Sequence, residues 1–162
     1  YEKQVQTEQA RRKQLQAQIN PHFLYNSFYM GYRMAKSGES DRVANLCMYL
    51  GDYFKIMTYA ADNWITVEQE LKFTEIYLKL NEMRFAEKME YKIIADEKTK
   101  KYQILPLMIQ PLVENAIRHG VEKVHKICEI IVKVSVFNGM LHCEVDDNCG
   151  MASKWFVKIF KN

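Results

Sequence analysis

Pro21 interrupts a stretch whose apolar positions otherwise step by three and four, as in a helix, and His22 follows it directly. Proline lacks a backbone N–H and its ring collides with the carbonyl four residues earlier, so it kinks a helix or occupies its first turn. In the second case Asn20 caps a new helix that begins at Pro21. The sequence leaves both placements open. Either one sets a nitrogen nucleophile, His22, beside a break in regular structure.

Composition limits the class of protein. The 162 residues suffice for one ordinary domain or two small ones, and the net charge of +3 is too small to indicate nucleic-acid binding. We find no signal peptide and no apolar run long enough to span a membrane. The four cysteines form no C-x-x-C pair, which predicts neither a zinc site nor a disulfide and favours a reducing compartment. Core packing is the expectation for Cys47, Cys128 and Cys143.

The front of the chain is predicted to be all helical. A polar, Gln-rich helix runs to about residue 36, and Gly38 is placed to end it. A second amphipathic helix follows from Asp41 to about Tyr59. Two such helices with a short link predict an antiparallel hairpin, and pairing with a second copy into a four-helix bundle would bury their apolar faces. Residues 1–62 are therefore predicted to form a helical dimerisation domain.

The rear, residues 63–162, is predicted to mix helices and strands. Thr66 with Gln69 three residues later predicts a helix start, and that helix extends to about Phe85. A further helix is predicted from Leu107 to His119, opened by Pro106 and closed by Gly120, and another in the tail around Trp155 to Phe160.

Three strands are predicted in the rear: Met89 to Ile94, Ile127 to Phe137, and a strand through Leu141 and Val145. Asn138-Gly139 predicts a two-residue hairpin turn between the last two. The order of elements gives an α+β fold, with a helical front and an α+β rear.

One face of the helix predicted at 107–119 carries side chains suited to a magnesium–phosphate site. Glu114, Asn115, Arg118 and His119 lie three or four residues apart and therefore share a face. An asparagine carbonyl oxygen can bind Mg²⁺, and an arginine can neutralise phosphate oxygens. A solvated helix face with a carboxylate and a cation has the same pattern, so spacing alone leaves both interpretations open.

A strand that ends in Val145-Asp146-Asp147-Asn148-Cys149-Gly150-Met151 runs into a turn. Turns of this kind are often purely structural. The same place could also hold a carboxylate rigidly enough to accept a hydrogen bond from an adenine amino group.

Together these stretches resemble one family. Asn-Pro-His-Phe-Leu-Tyr-Asn at 20–26 and Gln-Pro-Leu-Val-Glu-Asn-Ala-Ile-Arg-His-Gly at 110–120 are similar to the two specific boxes of the LytS/YesM-type sensor histidine kinases. The resemblance covers almost the whole chain. It implies a dimerising phospho-acceptor domain followed by a truncated Bergerat-type ATP-binding α/β sandwich. It also implies ATP and Mg²⁺ as cofactors, a homodimer, and a response regulator as partner. The segment would be the cytoplasmic part of a membrane receptor, tethered to the membrane by a span upstream of it.

The resemblance also implies roles in the helical domain. His22 would be the phospho-acceptor, and Asn26, one turn later, would hold the imidazole or a water molecule. A kink at Pro21 would expose His22 and loosen the helix for movement. In many other histidine kinases an acidic residue follows the histidine, whereas here Phe23 follows it.

In the nucleotide domain the resemblance implies that Asn115 holds Mg²⁺ and that Arg118 and His119 face the phosphates. Glu114 would act on a magnesium-bound water or on the attacking imidazole. The aspartate box, which includes Gly150, would contact the nucleotide.

This chain departs from the family in that box, which usually contains Asp-Asn-Gly-x-Gly-Met. Counting back from Gly150-Met151 makes Asp146 the adenine-binding residue, and counting from Val145 makes it Asp147. The alternation of the strand favours Asp147.

The lid and second glycine-rich box of the family are also missing. A non-enzymatic dimerisation and docking module with a degenerate nucleotide domain is therefore the alternative. Another ATPase of the Bergerat type ranks third, since it has no use for the Pro-His helix.

Overall fold

The computed structural model describes residues 20–60, 63–149 and 154–160. Its helices are α1 (Pro21–Lys36), α2 (Ser40–Ala60), α3 (Val67–Phe85) and α4 (Gln110–His119). Its strands are β1 (Ile65–Thr66), β2 (Met89–Ala95), β3 (Gln103–Ile104), β4 (Cys128–Phe137), β5 (Met140–Asp147) and β6 (Lys154–Phe160). The predicted α+β class is confirmed. Every helix in these ranges is too short or too polar to cross a bilayer.

The chain divides into two compact units, Tyr1–Cys47 and Met48–Asn162. Helix α2 contributes residues to both units, because the division falls inside it. The domain boundary predicted between residues 62 and 63 stays a prediction.

Helix α1 begins at Pro21, and Asn20 caps it. The Asn20 side-chain oxygen accepts hydrogen bonds from the backbone N–H groups of His22 (3.1 Å) and Phe23 (3.4 Å). Proline fits this first position because its missing N–H would have had no partner inside the helix. The second of the two placements of Pro21 is therefore the one observed. The kink predicted within a longer helix involves residues before Asn20, which lie outside the described ranges.

Gly38 ends α1 as predicted. Its φ of +74° is the left-handed conformation that glycine adopts without steric cost. The N–H of Gly38 donates to the carbonyl of Ala35 (3.1 Å) and that of Glu39 to Met34 (2.9 Å), which together form a Schellman motif. Further back in α1, a Cβ at Gly31 would lie 3.1 Å from the Leu46 side chain, so the two helices pack closely there.

Helix α3 begins with the predicted capping box. The Gln69 side chain accepts from the Thr66 N–H (2.9 Å), and the Thr66 hydroxyl accepts from the Gln69 N–H (3.2 Å). Just before it, β1 pairs antiparallel with β3 through Ile65 and Ile104, a contact that two-residue strands are too short to reveal in the sequence. Helix α3 is buried on most of its circumference, and its buried set includes the charged Glu70.

The main sheet has the strand order β2-β4-β5-β6, with β2 and β4 parallel and the other pairs antiparallel. Asn138 and Gly139 both have positive φ, 50° and 73°, as the predicted two-residue hairpin requires. Alternate residues of β4 and β5 form one buried face: Ile130, Val132, Val134, Leu141, Cys143, Val145 and Asp147. Helix α4 packs against β4, β5 and β6, and α3 packs against β2.

The prediction of a helix in the tail is wrong, because residues 154–160 form strand β6. This strand pairs antiparallel with β5, and Val145 lies opposite Trp155. The segment is rich in aromatic and β-branched residues, which fit a strand as well as a helical stripe. The edge of β5 that does not pair with β4 favours the strand over the helix, since its backbone N–H and C=O groups can bond to a neighbouring strand.

Two expectations about the cysteines are also wrong. Cys128 and Cys149 are joined as a disulfide, with Cα atoms 4.9 Å apart. The register that pairs Ile130 with Asp147 brings them together across 21 residues of sequence. Cys47 is exposed, whereas Cys143 is buried as expected.

Candidate functional site

His22 is exposed in the first turn of α1. The side-chain nitrogen of Asn26, one turn along, lies 3.3 Å from Nδ1 and 3.4 Å from Nε2 of the imidazole. The amide nitrogen of Asn26 can orient the ring by donating to the ring nitrogen that carries the lone pair. The structure therefore brings together the two residues predicted in this domain, and leaves the imidazole accessible to solvent.

Helix α1 also exposes a row of aromatic rings: Tyr25 (71%), Phe28 (63%), Tyr29 (63%) and Tyr32 (59%). Their spacing of three, one and three residues places them on one side of the helix. Tyr29 and Tyr32 stack with ring centroids 6.3 Å apart. A contiguous apolar patch of this kind is typical of an interaction surface. We call these four residues the aromatic stripe.

Helix α4 begins at Gln110, three residues later than predicted, because a buried carboxylate holds the chain before it. Leu107 has a φ of +61°, which no helix accepts. The Glu70 carboxylate accepts from the N–H groups of Leu107 (3.0 Å), Ile109 (2.9 Å) and Gln110 (3.5 Å). These bonds satisfy donors that a helix start leaves without partners. Glu70 thus fixes where α4 begins.

Burial raises the pKa of Glu70, and the backbone hydrogen bonds from Ile109 and its neighbours oppose that rise. A raised pKa in the folded state means that the folded protein keeps a proton that the unfolded chain has lost. The free energy of unfolding therefore falls as pH rises from the ordinary carboxyl range through the raised pKa.

We expect Glu70→Met to lower the free energy of unfolding by at least about 2 kcal/mol in urea denaturation, because it leaves buried N–H donors without an acceptor. Methionine does not titrate, so the gap to wild type should be largest in acid and narrow as pH rises. Glu82→Met, an exposed change on the same helix, should shift stability by less than about 0.5 kcal/mol. Equal stability of the two variants would contradict this role for Glu70.

Helix α4 buries Val113, Ala116 and Ile117 on one face, together with Gln110 at its start. Glu114 and Asn115 are half-buried, and Arg118 and His119 are exposed. The guanidinium of Arg118 donates to the side-chain oxygen of Asn115 (3.2 Å). The predicted amide and cation are thus in contact. Burial raises the pKa of Glu114, and a hydrogen bond from Gln110 and the charge of Arg118 oppose the rise.

Gln110 and Tyr53 are site residues that the sequence reasoning missed. Gln110 is buried at the start of α4, and its side-chain amide donates to Tyr53 Oη (2.7 Å) and to Glu114 Oε1 (3.2 Å). Burial raises the pKa of Tyr53 far above that of free tyrosine. The available signal was a tyrosine in the apolar face of α2 and the glutamine that opens the box at 110–120.

The two aspartates at the end of β5 point to opposite faces of the sheet. Asp147 is 5% exposed and lies on the buried face, where its Oδ1 accepts from the Cys149 N–H (3.1 Å). Asp146 lies on the other face, where its Oδ2 forms an ion pair with Lys133 Nζ (2.8 Å). Gly150 lies outside the described residues.

Gly120 shows how close the end of α4 comes to this loop. A Cβ at Gly120 would lie 2.5 Å from the Ala116 carbonyl oxygen and 2.8 Å from the Cys149 sulfur. Any larger residue would push the two segments apart. The fold therefore brings the polar end of α4 next to the segment that follows Asp147.

Comparison with known proteins identifies the family. A family model described as histidine kinase matches residues 10–89. The sensor protein LytS of Bacillus cereus is 38% identical over 137 residues, which is 84% of this chain and 23% of that protein. The sensor histidine kinase YesM of Bacillus subtilis is 30% identical over 147 residues, 91% of this chain and 26% of that protein. The chain belongs to the LytS/YesM-type histidine kinase family.

This LytS/YesM-type chain spans about a quarter of the length of these curated relatives. Among solved structures, the histidine kinase ThkA in complex with the response regulator protein TrrA matches with a TM-score of 0.41 and 9% identity. That match covers 89% of this chain and 49% of that one. We draw nothing from a likeness at that level.

The donor set of the LytS/YesM-type chain fits a magnesium ion only in company with phosphate. In the part of the chain that the structure describes, no three His, Cys, Asp or Glu residues are grouped closely enough to hold a metal. Asn115 offers one hard oxygen, so the remaining ligands would be phosphate and water oxygens, as is usual for nucleotide-bound Mg²⁺.

Proposed function

We propose that this chain is the catalytic region of a sensor histidine kinase, which moves the γ-phosphoryl group of ATP to His22 and then to an aspartate of a response regulator. The observation that carries the proposal is an exposed imidazole at the start of α1 with the Asn26 amide 3.3 Å from its ring. The names of the family members support it, because they are sensor histidine kinases.

The chemistry at His22 needs little from the protein beyond positioning. A ring nitrogen with its lone pair attacks the γ-phosphorus, an N–P bond forms, and the P–O bond to ADP breaks. The other ring nitrogen gives up its proton. Asn26 orients the ring for this attack.

The unit that contains α3, α4 and the main sheet serves as a Bergerat-type ATP-binding domain in this proposal. Asn115 would hold Mg²⁺, which neutralises charge on the phosphate oxygens when it is bound. Arg118 and His119 face the phosphates, and Glu114 accepts a proton. A half-buried amide beside an exposed arginine supports this assignment, because both can point to one ligand.

We propose Asp147, not Asp146, as the adenine-binding residue. Asp147 lies on the buried face that α4 covers, whereas Asp146 is paired with Lys133 on the other face. We expect Asp147→Ala to weaken ATP binding by about tenfold or more, as for the loss of a hydrogen bond to a charged group. Asp146→Ala should change it less than about twofold. Isothermal titration with Mg-ATP measures both, and the reverse ranking would reject the assignment.

We propose that the chain works as a homodimer in which α1 and α2 form an antiparallel hairpin and the hairpins of two copies form a four-helix bundle. The aromatic stripe supports this, since four rings more than half exposed gain most from burial against a second copy. We place the chain in the cytoplasmic part of a membrane receptor, in keeping with its sensor relatives.

The function is tested with γ-labelled Mg-ATP on the purified chain. Acid-labile, alkali-stable phosphate bound to the protein supports the kinase. A chain that binds no Mg-ATP and takes up no label would instead be a dimerisation and docking module.

A further inference from the structure

The Gln110 side chain, at the start of α4, connects α4 with α2. It is 2% exposed, and its Nε2 lies 2.7 Å from Tyr53 Oη on α2 and 3.2 Å from Glu114 Oε1 one turn along α4. A primary amide has two N–H groups, so it can donate in both directions at once. The result is a hydrogen-bonded chain of three residues, Tyr53, Gln110 and Glu114, which we call the amide bridge.

Both ends of the bridge are held. The Tyr53 ring is 2% exposed and stacks on Phe73 of α3, with centroids 4.7 Å apart and planes 22° apart. The backbone N–H of Gln110 points to the buried carboxylate of Glu70. Neither Tyr53 nor Gln110 can move without disturbing packed neighbours.

The orientation of the amide depends on these two partners. The Gln110 carbonyl oxygen is buried and has no hydrogen-bond partner among the described residues. Reversing the amide would turn that oxygen toward the Glu114 carboxylate, where two acceptors would repel each other. The observed orientation is therefore the one in which the amide nitrogen finds an acceptor on each side, Tyr53 Oη and Glu114 Oε1.

On the basis of the proposed function, we propose that Gln110 is a positioning residue for phosphoryl transfer. Its side chain orients the Glu114 carboxylate and links it by hydrogen bonds to Tyr53 on α2. In the step itself, the imidazole nitrogen bonds to the γ-phosphorus, the P–O bond breaks with its electron pair going to ADP, and the ring proton passes to the Glu114 carboxylate. Residues 48–60 of α2 belong to the same unit as α4. A shift of this part of α2 would move the Tyr53 hydroxyl and so change the orientation of the Glu114 carboxylate.

Gln110→Met keeps the length of the side chain and removes both donors. We expect the autophosphorylation rate at saturating Mg-ATP to fall about tenfold, while the KM for Mg-ATP stays within about twofold. Tyr53→Phe keeps the ring on Phe73 and should give a smaller fall, about threefold. Gln103→Met, the same change at an exposed glutamine of β3, should change neither quantity. In a Glu114→Gln background, Gln110→Met should cause no further loss.

The split between rate and KM gives a readout that a merely structural role would not produce. A general loosening of the fold would also weaken Mg-ATP binding and raise the KM, whereas a loss of positioning lowers only the rate at saturating Mg-ATP.

Several outcomes overturn the inference. One is an unchanged rate in Gln110→Met, and another is a raised KM with an unchanged saturating rate. If wild type takes no label, the proposed function fails, and the NMR resonances of the Gln110 side-chain amide still test the bridge, because that amide donates to Tyr53 Oη. Amide resonances equal in wild type and Tyr53→Phe would then reject it. If Gln110→Met does not fold, Tyr53→Phe decides by the same measurements.

Discussion

Replacing His22 with glutamine should abolish labelling of the chain from ATP, to background. Glutamine keeps a polar side chain on an exposed position of α1, and Asn20 still caps the helix through backbone N–H groups. The change removes the imidazole, whose nitrogen would attack phosphorus in the proposed reaction, together with its contact to Asn26. Helix content by circular dichroism and Mg-ATP binding should equal those of wild type.

His125→Gln is the matched control, because His125 is exposed in the segment between α4 and β4 and has no proposed role. Its label should equal that of wild type. Substantial label on the His22 variant would place the phosphate on another residue and reject His22 as the acceptor. Loss of label in both variants would point to a general effect of removing histidine.

The second large effect is expected from Asn115→Ala, which should lower the autophosphorylation rate by about a hundredfold or more. In the proposed site the side-chain oxygen of Asn115 would bind magnesium, and phosphoryl transfer depends on charge neutralisation by that ion. The Arg118 guanidinium, 3.2 Å away, would also lose its partner. Raising the magnesium concentration should recover part of the rate, since weaker binding can be offset by mass action.

Asn63→Ala removes an exposed amide that donates to the Tyr59 carbonyl (2.9 Å), and it serves as the control. It should leave the rate and its magnesium dependence unchanged. A rate for Asn115→Ala within about twofold of wild type, with the same dependence on magnesium, would remove Asn115 from the proposed site.

Local signals predicted the elements whose causes are local. Thr66 and Gln69 start α3 because each satisfies the other's backbone N–H, and Gly38 ends α1 because its φ is positive. Asn138 and Gly139 close the β4–β5 hairpin because both have a positive φ. Asn20 and Pro21 gave two placements, and the described start of α1 agrees with the one that capping physics supports.

The predictions that proved wrong share a different cause. Strand β6 exists because β5 has an open edge, which the tail's own pattern does not contain. Helix α4 starts late because Glu70 accepts the N–H groups of residues 37 to 40 positions later. Cys128 and Cys149 meet only through the register of β4 and β5. Each depends on a partner distant in sequence.

The candidate site divides in the same way. The sequence alone indicated His22, Asn26 and the polar residues of α4, because helical spacing determines which side chains are neighbours. The roles given to those residues stay predictions. Spacing gave no means of choosing firmly between Asp146 and Asp147, and the structure shows that one faces the buried side of the sheet while the other pairs with Lys133.

By itself, then, the sequence determined the family and the α+β order, since these depend on residue type and local pattern, and the resemblance to the family pointed to the residues of the proposed site. Only the tertiary structure decided which carboxylates are buried, where α4 begins and that Tyr53 reaches Glu114 through Gln110. The physical reason is that burial and hydrogen bonding between distant segments exist only once the chain has folded, and a local pattern cannot specify the partner.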